Sequence, residues 1–190
     1  MSGPIKATYD DTTVTVYQTC SDKNADEALK KTRFSVSRFE DIVWLKTSFL
    51  WTMYKSSWTK ATNQERVLAI KLNRSKFEFA LANASLEKLT PELRRQTSKV
   101  CRLRFDTDRD LGLNSIPGSR TYQICLNEET IVKYSKEWIV EMNDVTELSK
   151  SIETLVRNGQ LDEAKVLIPT EMLYQFKSHS DRTRFNLLFL

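Results

Sequence analysis

The chain has 190 residues, with 29 Lys and Arg against 25 Asp and Glu, a net charge of +4, 40% hydrophobic residues and 10% aromatics. That apolar share supports a packed core and excludes a largely disordered chain, and four Gly and four Pro exclude collagen-like and linker-like compositions. No apolar run approaches the ~18 residues needed to span a bilayer, so no membrane segment is predicted, and the single histidine, His179, excludes a three-histidine metal site.

Residues 13–17 are β-branched and aromatic after the turn-prone Asp10-Asp11, which predicts a strand. Ser21-Asp22 starts a short helix over 24–31 that buries Ala25, Ala28 and Leu29. Val43-Trp44-Leu45 is a short strand, and 48–58 a short helix with Phe49, Leu50, Met53 and Tyr54 at helical spacing. The near-continuous apolar run 66–72 predicts a strand buried on both faces. A helix follows over 75–84 and continues through 85–89 toward Pro91.

Alternating apolar and basic residues over 100–105 predict a half-exposed strand, and the Asp-, Asn-, Gly- and Pro-containing stretch 106–119 a loop. Residues 120–126 are a strand, Asn127 caps a helix to about 137, and 138–142 are a strand. Helices over 146–158, stopped by Gly159, and over 161–167, ended by Pro169, complete the chain. Residues 178–184 are a polar tail, while the apolar residues from Phe185 onward dock on the core. Strands and helices mix without regular alternation, which predicts an α+β fold with a mainly antiparallel sheet in one domain, with a core over 5–175 and a tail over 176–190.

Cys20, Cys101 and Cys125 are odd in number and widely spaced, without a CxxC pair. They are expected to be reduced, mostly buried thiols of an intracellular protein, cytoplasmic or nuclear. The start Met-Ser-Gly-Pro-Ile-Lys lacks an apolar core and predicts no secretory signal. Charge is unevenly spread. Residues 46–104 hold thirteen basic residues against four Glu, a segment charge of +9 that leaves −5 elsewhere. A polyanion such as DNA or RNA would meet this stretch first, and Lys55, Lys60, Arg102 and Arg104 are its candidate nucleic-acid contacts. Aromatics lie among these cations, in a pattern shared by base-stacking surfaces and ordinary core helices. No Gly-rich phosphate loop occurs, and Asp106, Asp108 and Asp110 lack the Gly and Glu of a calcium loop, so no metal is expected.

The Trp-rich segment 44–58, with Gln64-Glu65-Arg66-Val67-Leu68-Ala69-Ile70, resembles the family known as domain of unknown function 4291. Ala7-Thr8-Tyr9-Asp10-Asp11, Val16-Tyr17-Gln18-Thr19, Glu137-Trp138-Ile139-Val140, Asp144-Val145-Thr146 and the stretch 161–169 extend the resemblance over about 5–175. Lys6 stands where Arg is expected and Thr47 where Pro is expected.

A second resemblance is to ADP-ribosyltransferases, whose split, mainly antiparallel sheet is flanked by helices. Val16-Tyr17-Gln18-Thr19 is similar to their first strand, 46–54 to the element shaping the nicotinamide pocket, and 120–126 to the strand bearing the catalytic Glu. The resemblance implies NAD as substrate, with Gln18 at the ribose-binding position and Gln123 at the catalytic one, where His or Arg and Glu are usual. It makes Tyr17, Tyr54 and Trp51 candidates to stack on nicotinamide or adenine, and Lys46 a pyrophosphate contact beside Ser48. An amide at Gln123 can bond the ribose but cannot supply a negative charge, which makes Glu65 and Glu141 the alternative carboxylates, Glu65 at the entry to the buried strand being equally a partner for a neighbouring Arg or Lys. Two functions follow as expectations. One is transfer of ADP-ribose to DNA, RNA or, less favoured, protein. The other is a non-catalytic nucleotide- or nucleic-acid-binding module.

Overall fold

The computed structural model describes residues 5–35, 43–86 and 101–187. In chain order the elements are β1 (Lys6–Ala7), β2 (Thr13–Cys20), α1 (Asp22–Lys31), β3 (Val43–Lys46), α2 (Phe49–Ser56), β4 (Arg66–Asn73), α3 (Arg74–Ala82) and β5 (Ala84–Leu86). There follow β6 (Cys101–Arg109), β7 (Ser115–Leu126), α4 (Glu128–Lys133), a π-helical turn (Tyr134–Trp138), β8 (Ile139–Asp144), α5 (Thr146–Arg157), α6 (Leu161–Leu167), β9 (Met172–Leu173) and α7 (His179–Leu187). No described helix is long and apolar enough to cross a membrane.

Seven strands form one sheet in the order β5-β6-β7-β3-β2-β4-β8, and β1 and β9 pair separately. Every neighbouring pair in the large sheet is antiparallel except β5 with β6. The fold is therefore α+β, with a mostly antiparallel sheet flanked by helices.

Strand alternation divides the side chains between two layers. Val14 and Val16 of β2, Val43 and Leu45 of β3, Leu68, Ile70 and Leu72 of β4, and Ile124 of β7 enter the larger core. There they meet Ala25 and Ala28 of α1, Phe77, Ala80 and Leu81 of α3, Tyr134 and Trp138 of the π turn, and Phe185 of α7. The opposite face carries Tyr17 and Val67, packed with Phe49 and Met53 of α2, Trp58, Ile152 of α5 and Ala164 of α6. The expected two-faced burial of β4 is present, though Lys71 departs from it and pairs with Glu141 at 2.7 Å.

Several sequence expectations change. The helix expected through residue 84 and beyond stops at Ala82, because Ala84 and Ser85 gain more by burial in β5 against Cys101 and Arg102. The continuation over 87–89 lies outside the described residues, as does Val100 at the start of the expected 100–105 strand. The stretch 106–119, expected as a loop, is mostly hairpin: β6 runs to Arg109 and β7 begins at Ser115. A register shift between Thr107 and Arg109 absorbs Pro117 and Gly118 (φ 77°), and Asp110 closes the turn by accepting from the Asn114 amide at 2.8 Å. Trp138 ends the π turn rather than opening β8. The polar stretch 178–184 is helical, and α7 seats Phe185 on Tyr122 and Phe176, while residues 188–190 lie outside the description. All three cysteines are free and buried.

Candidate functional site

Four strands bring one residue each into a single row across the sheet. Tyr17 of β2 is opposite Lys46 of β3, Lys46 opposite Gln123 of β7, and Gln123 opposite Arg104 of β6. Cross-strand partners point to the same side, so all four share the face that carries α2. The chain turns into α2 directly after Lys46. Ser48 caps that helix by accepting from the Trp51 amide at 3.4 Å, which sets the Trp51, Tyr54 and Lys55 turn beside the row.

The aromatic and cationic side chains interleave here. Lys46 Nζ stands 5.4 Å and Lys55 Nζ 5.2 Å from the Trp51 ring centroid. The Arg109 guanidinium lies 3.6 Å from the Tyr54 centroid, so one face of that ring is already covered. Tyr17 is fully buried and meets Phe49 edge-on at 5.5 Å. Gln123 is only 5% exposed. Trp51 Nε1, Thr47 Oγ1 and Arg109 Nε are buried without a hydrogen-bond partner.

The electrostatics are set by burial. Lys46 is pushed down to about 8, first by burial and then by the Lys55 charge. Glu171, just before β9, accepts from the Phe49 amide at 2.7 Å at the start of α2. Burial raises its carboxyl to about 7, although the Phe49 bond opposes the shift; Asp108 adds to the rise. Asp108 is itself held by Lys6 at 3.1 Å and by the Ser119 hydroxyl at 3.1 Å. The Tyr17 phenol is raised by burial and then by Glu171, which places the carboxylate close to the row. Groups shifted toward neutral pH are suited to proton exchange with a ligand.

Residues 4–174 match the family described as Domain of unknown function (DUF4291). The chain belongs to this family. The match takes in the whole row, α2 and Glu171, and ends before α7. The comparison with curated proteins finds no match.

Within this DUF4291 chain the residues anticipated from sequence divide into two sets. Tyr17, Lys46, Ser48, Trp51, Tyr54, Lys55, Gln123 and Arg104 gather around the row, and Arg102 lies beside it, bonding Cys125 Sγ at 3.4 Å. Gln18 does not join them. Alternation turns it to the other face, where it is 7% exposed and its Oε1 accepts from the Tyr134 hydroxyl at 2.9 Å. Glu65 sits before β4, three strands from β7 and so about 14 Å across the sheet from Gln123. It accepts from the Asn63 amide at 2.8 Å. Lys60 pairs with Glu153 of α5, away from the row. Among the described residues no group of three His, Cys, Asp or Glu is arranged to hold a metal ion.

Glu171 and Arg109 are absent from the sequence expectations. Glu171 follows Pro169-Thr170 in a stretch without periodicity, and its partner Phe49 is 122 residues away. Arg109 falls in the stretch expected as a loop. The alternation over 100–105, continued through the Asp residues, was the available signal for it.

Proposed function

We propose that the chain is an ADP-ribosyltransferase-like protein that binds NAD along the Tyr17–Lys46–Gln123 row and transfers ADP-ribose to a nucleic acid. The observation that carries this reading is adjacency. The three segments that resemble the first strand, the pocket element and the catalytic strand of such transferases are scattered in sequence, yet β2, β3 and β7 are neighbours with these residues in register. The residue types suit the parts of NAD. Lys46 and Lys55 carry charge for a pyrophosphate, the exposed Tyr54 offers the ring face that Arg109 leaves uncovered, and Gln123 offers an amide to a ribose hydroxyl, while Trp51 is too buried to stack on a ligand. Arg102 and Arg104 extend the cationic surface toward a polyanionic acceptor.

Transfer breaks the nicotinamide–ribose bond, with the electron pair leaving on nicotinamide, while an acceptor hydroxyl or amine forms the new bond to the ribose and loses a proton. Gln123 cannot take that proton. Glu171, raised to about 7, is the carboxylate beside the row with a suitable pKa for a base. A folded full chain mixed with NAD and DNA or RNA is expected to release nicotinamide, and Gln123→Ala to lower the rate. Absence of release with DNA, RNA and protein acceptors alike contradicts the reaction.

A second reading, a non-catalytic binding module, is favoured by one feature. Gln18, at the ribose-binding position of the resemblance, is committed to Tyr134 in the core. It predicts salt-sensitive nucleic-acid binding without NAD consumption.

A further inference from the structure

Lys46 and Lys55 flank one indole ring, at 5.4 and 5.2 Å from its centroid. Among the described residues neither ammonium has a carboxylate partner, whereas the neighbouring cations are committed: Lys60 to Glu153, Lys71 to Glu141 and Arg74 to Glu78. The indole itself carries a third idle donor. Trp51 is 2% exposed and its buried Nε1 has no acceptor. Two cations stand over the ring and its own N–H is unpaired, so three donors on one indole have no acceptor among them, and Thr47 Oγ1 and Arg109 Nε are further buried groups without a partner on the same face. An unpaired buried donor costs free energy, and two like charges on one ring repel each other, so the arrangement is stabilised by whatever anion completes it.

We propose that Lys46, Lys55 and Trp51 Nε1 form an anion site that takes a phosphate or pyrophosphate group. The proposal rests on the reading above for its place in the molecule and names the chemistry of one part of that face. The lowered pKa of Lys46 supports it, since a bound anion would oppose the Lys55 charge that helps to depress it. The other groups on the elements around Lys46 are Tyr17 from β2, Gln123 from β7, Arg104 and Asp106 from β6, Arg109 over Tyr54, and Glu171 against the start of α2; the last carboxyl accepts from the Phe49 amide, and neither it nor Asp106 forms an ion pair with Lys46 or Lys55. Two sources share this chemistry: the pyrophosphate of a free nucleotide and the phosphodiester of a nucleic acid.

The test is calorimetric titration of the full chain at one ionic strength with sodium pyrophosphate, ADP and a short oligothymidylate. Pyrophosphate is expected to bind. Lys46→Met and Lys55→Met are each expected to weaken it at least about 10-fold, the scale of one lost charge-assisted contact. Trp51→Phe, which keeps a smaller aromatic ring and deletes the donor, is expected to weaken it several-fold, and Lys46→Arg to restore most of the affinity. Lys165→Met, which removes an equal charge from α6, is expected to change little. Loss of ADP binding in the same variants assigns a nucleotide, and loss of oligothymidylate binding alone assigns a nucleic-acid backbone. No pyrophosphate binding by the folded chain overturns the proposal, as does an equal loss in Lys55→Met and Lys165→Met. Lys55 is exposed, so its variant keeps the test open if Lys46→Met fails to fold. Normal pyrophosphate binding without nicotinamide release defeats the reaction and leaves the anion site standing; nicotinamide release without pyrophosphate binding does the reverse.

Discussion

Glu171 is half-buried and reaches the Phe49 amide across 122 residues of sequence, next to the Phe49 ring that packs on Tyr17. Its carboxyl rises from 4.5 to about 7, so the folded chain holds that proton more tightly than the unfolded chain. Stability therefore falls as pH rises between those values, by up to about 3 kcal/mol at roughly 1.4 kcal/mol per pH unit. Glu171→Gln keeps an acceptor for Phe49 and removes the charge. Its denaturation midpoint is expected to exceed that of the parent at pH 8 and to match it near pH 5. Lys46 behaves oppositely. Its pKa falls from 10.5 to about 8, so the folded chain sheds the proton first and stability rises with pH between those values. Lys46→Met is expected to raise the melting temperature at pH 7, with the gain shrinking toward pH 10, as thermal scans at several pH values would show. Both shifts cost stability near neutral pH, a cost that the binding role proposed for this face would account for.

At the scale of elements, a buried clasp joins α3 to the segment before α7. Arg74 Nε bonds Glu78 at 3.2 Å, the Tyr174 hydroxyl donates to Glu78 at 2.9 Å, and the Lys177 amide does so at 3.0 Å. Arg74 also donates to the Asp10 carbonyl at 2.8 Å and to the Gln175 carbonyl. Glu78→Ala leaves a buried guanidinium without its counter-charge. It is expected to cost about 3–5 kcal/mol and to speed hydrogen exchange at the Lys177 and Ser178 amides. The strands with clean apolar patterns, β2 and β4, were legible from sequence because alternation and burial agree there. The inner halves of β6 and β7 were legible too, but their extension over 106–109 and 115–119 was not, because its Asp residues are satisfied by contacts far away in sequence, such as Lys6 with Asp108. Local polarity therefore suggested a loop. β5 and α7 were missed for a related reason: Ala84–Leu86 and His179–Leu187 take their form from the strand and helix they pack on.

Across the whole molecule, the sheet separates two tasks. One face builds the larger core with α1, α3, the π turn and α7, and this is where Gln18 is spent. The other face carries α2, α5 and α6 and the Tyr17–Lys46–Gln123–Arg104 row. A single-residue shift along β2 decides which side a residue serves, and a motif match cannot supply that parity. The positive middle of the chain is also partly neutralised in three dimensions, since Arg66 pairs with Asp144, Asp22 and Asp26, and Lys60 and Lys71 with glutamates. Lys88, Arg94, Arg95 and Lys99 lie outside the described residues. Lys46 and Lys55 are the cations beside the row that the proposed phosphate-bearing ligand would meet.

Under the proposed function, this α2-bearing face and not the Gln18 side binds NAD. Equilibrium titration of NAD against the parent, Gln123→Ala, Lys46→Met and Tyr134→Phe tests it directly. Tyr134→Phe removes the only hydrogen bond described for Gln18 Oε1 without touching the row. Affinity is expected to fall at least about 10-fold in the first two variants and to hold in Tyr134→Phe, the size of one or two lost polar contacts. Undetectable binding to the parent, or unchanged affinity in Gln123→Ala and Lys46→Met, would rule out NAD binding on this face.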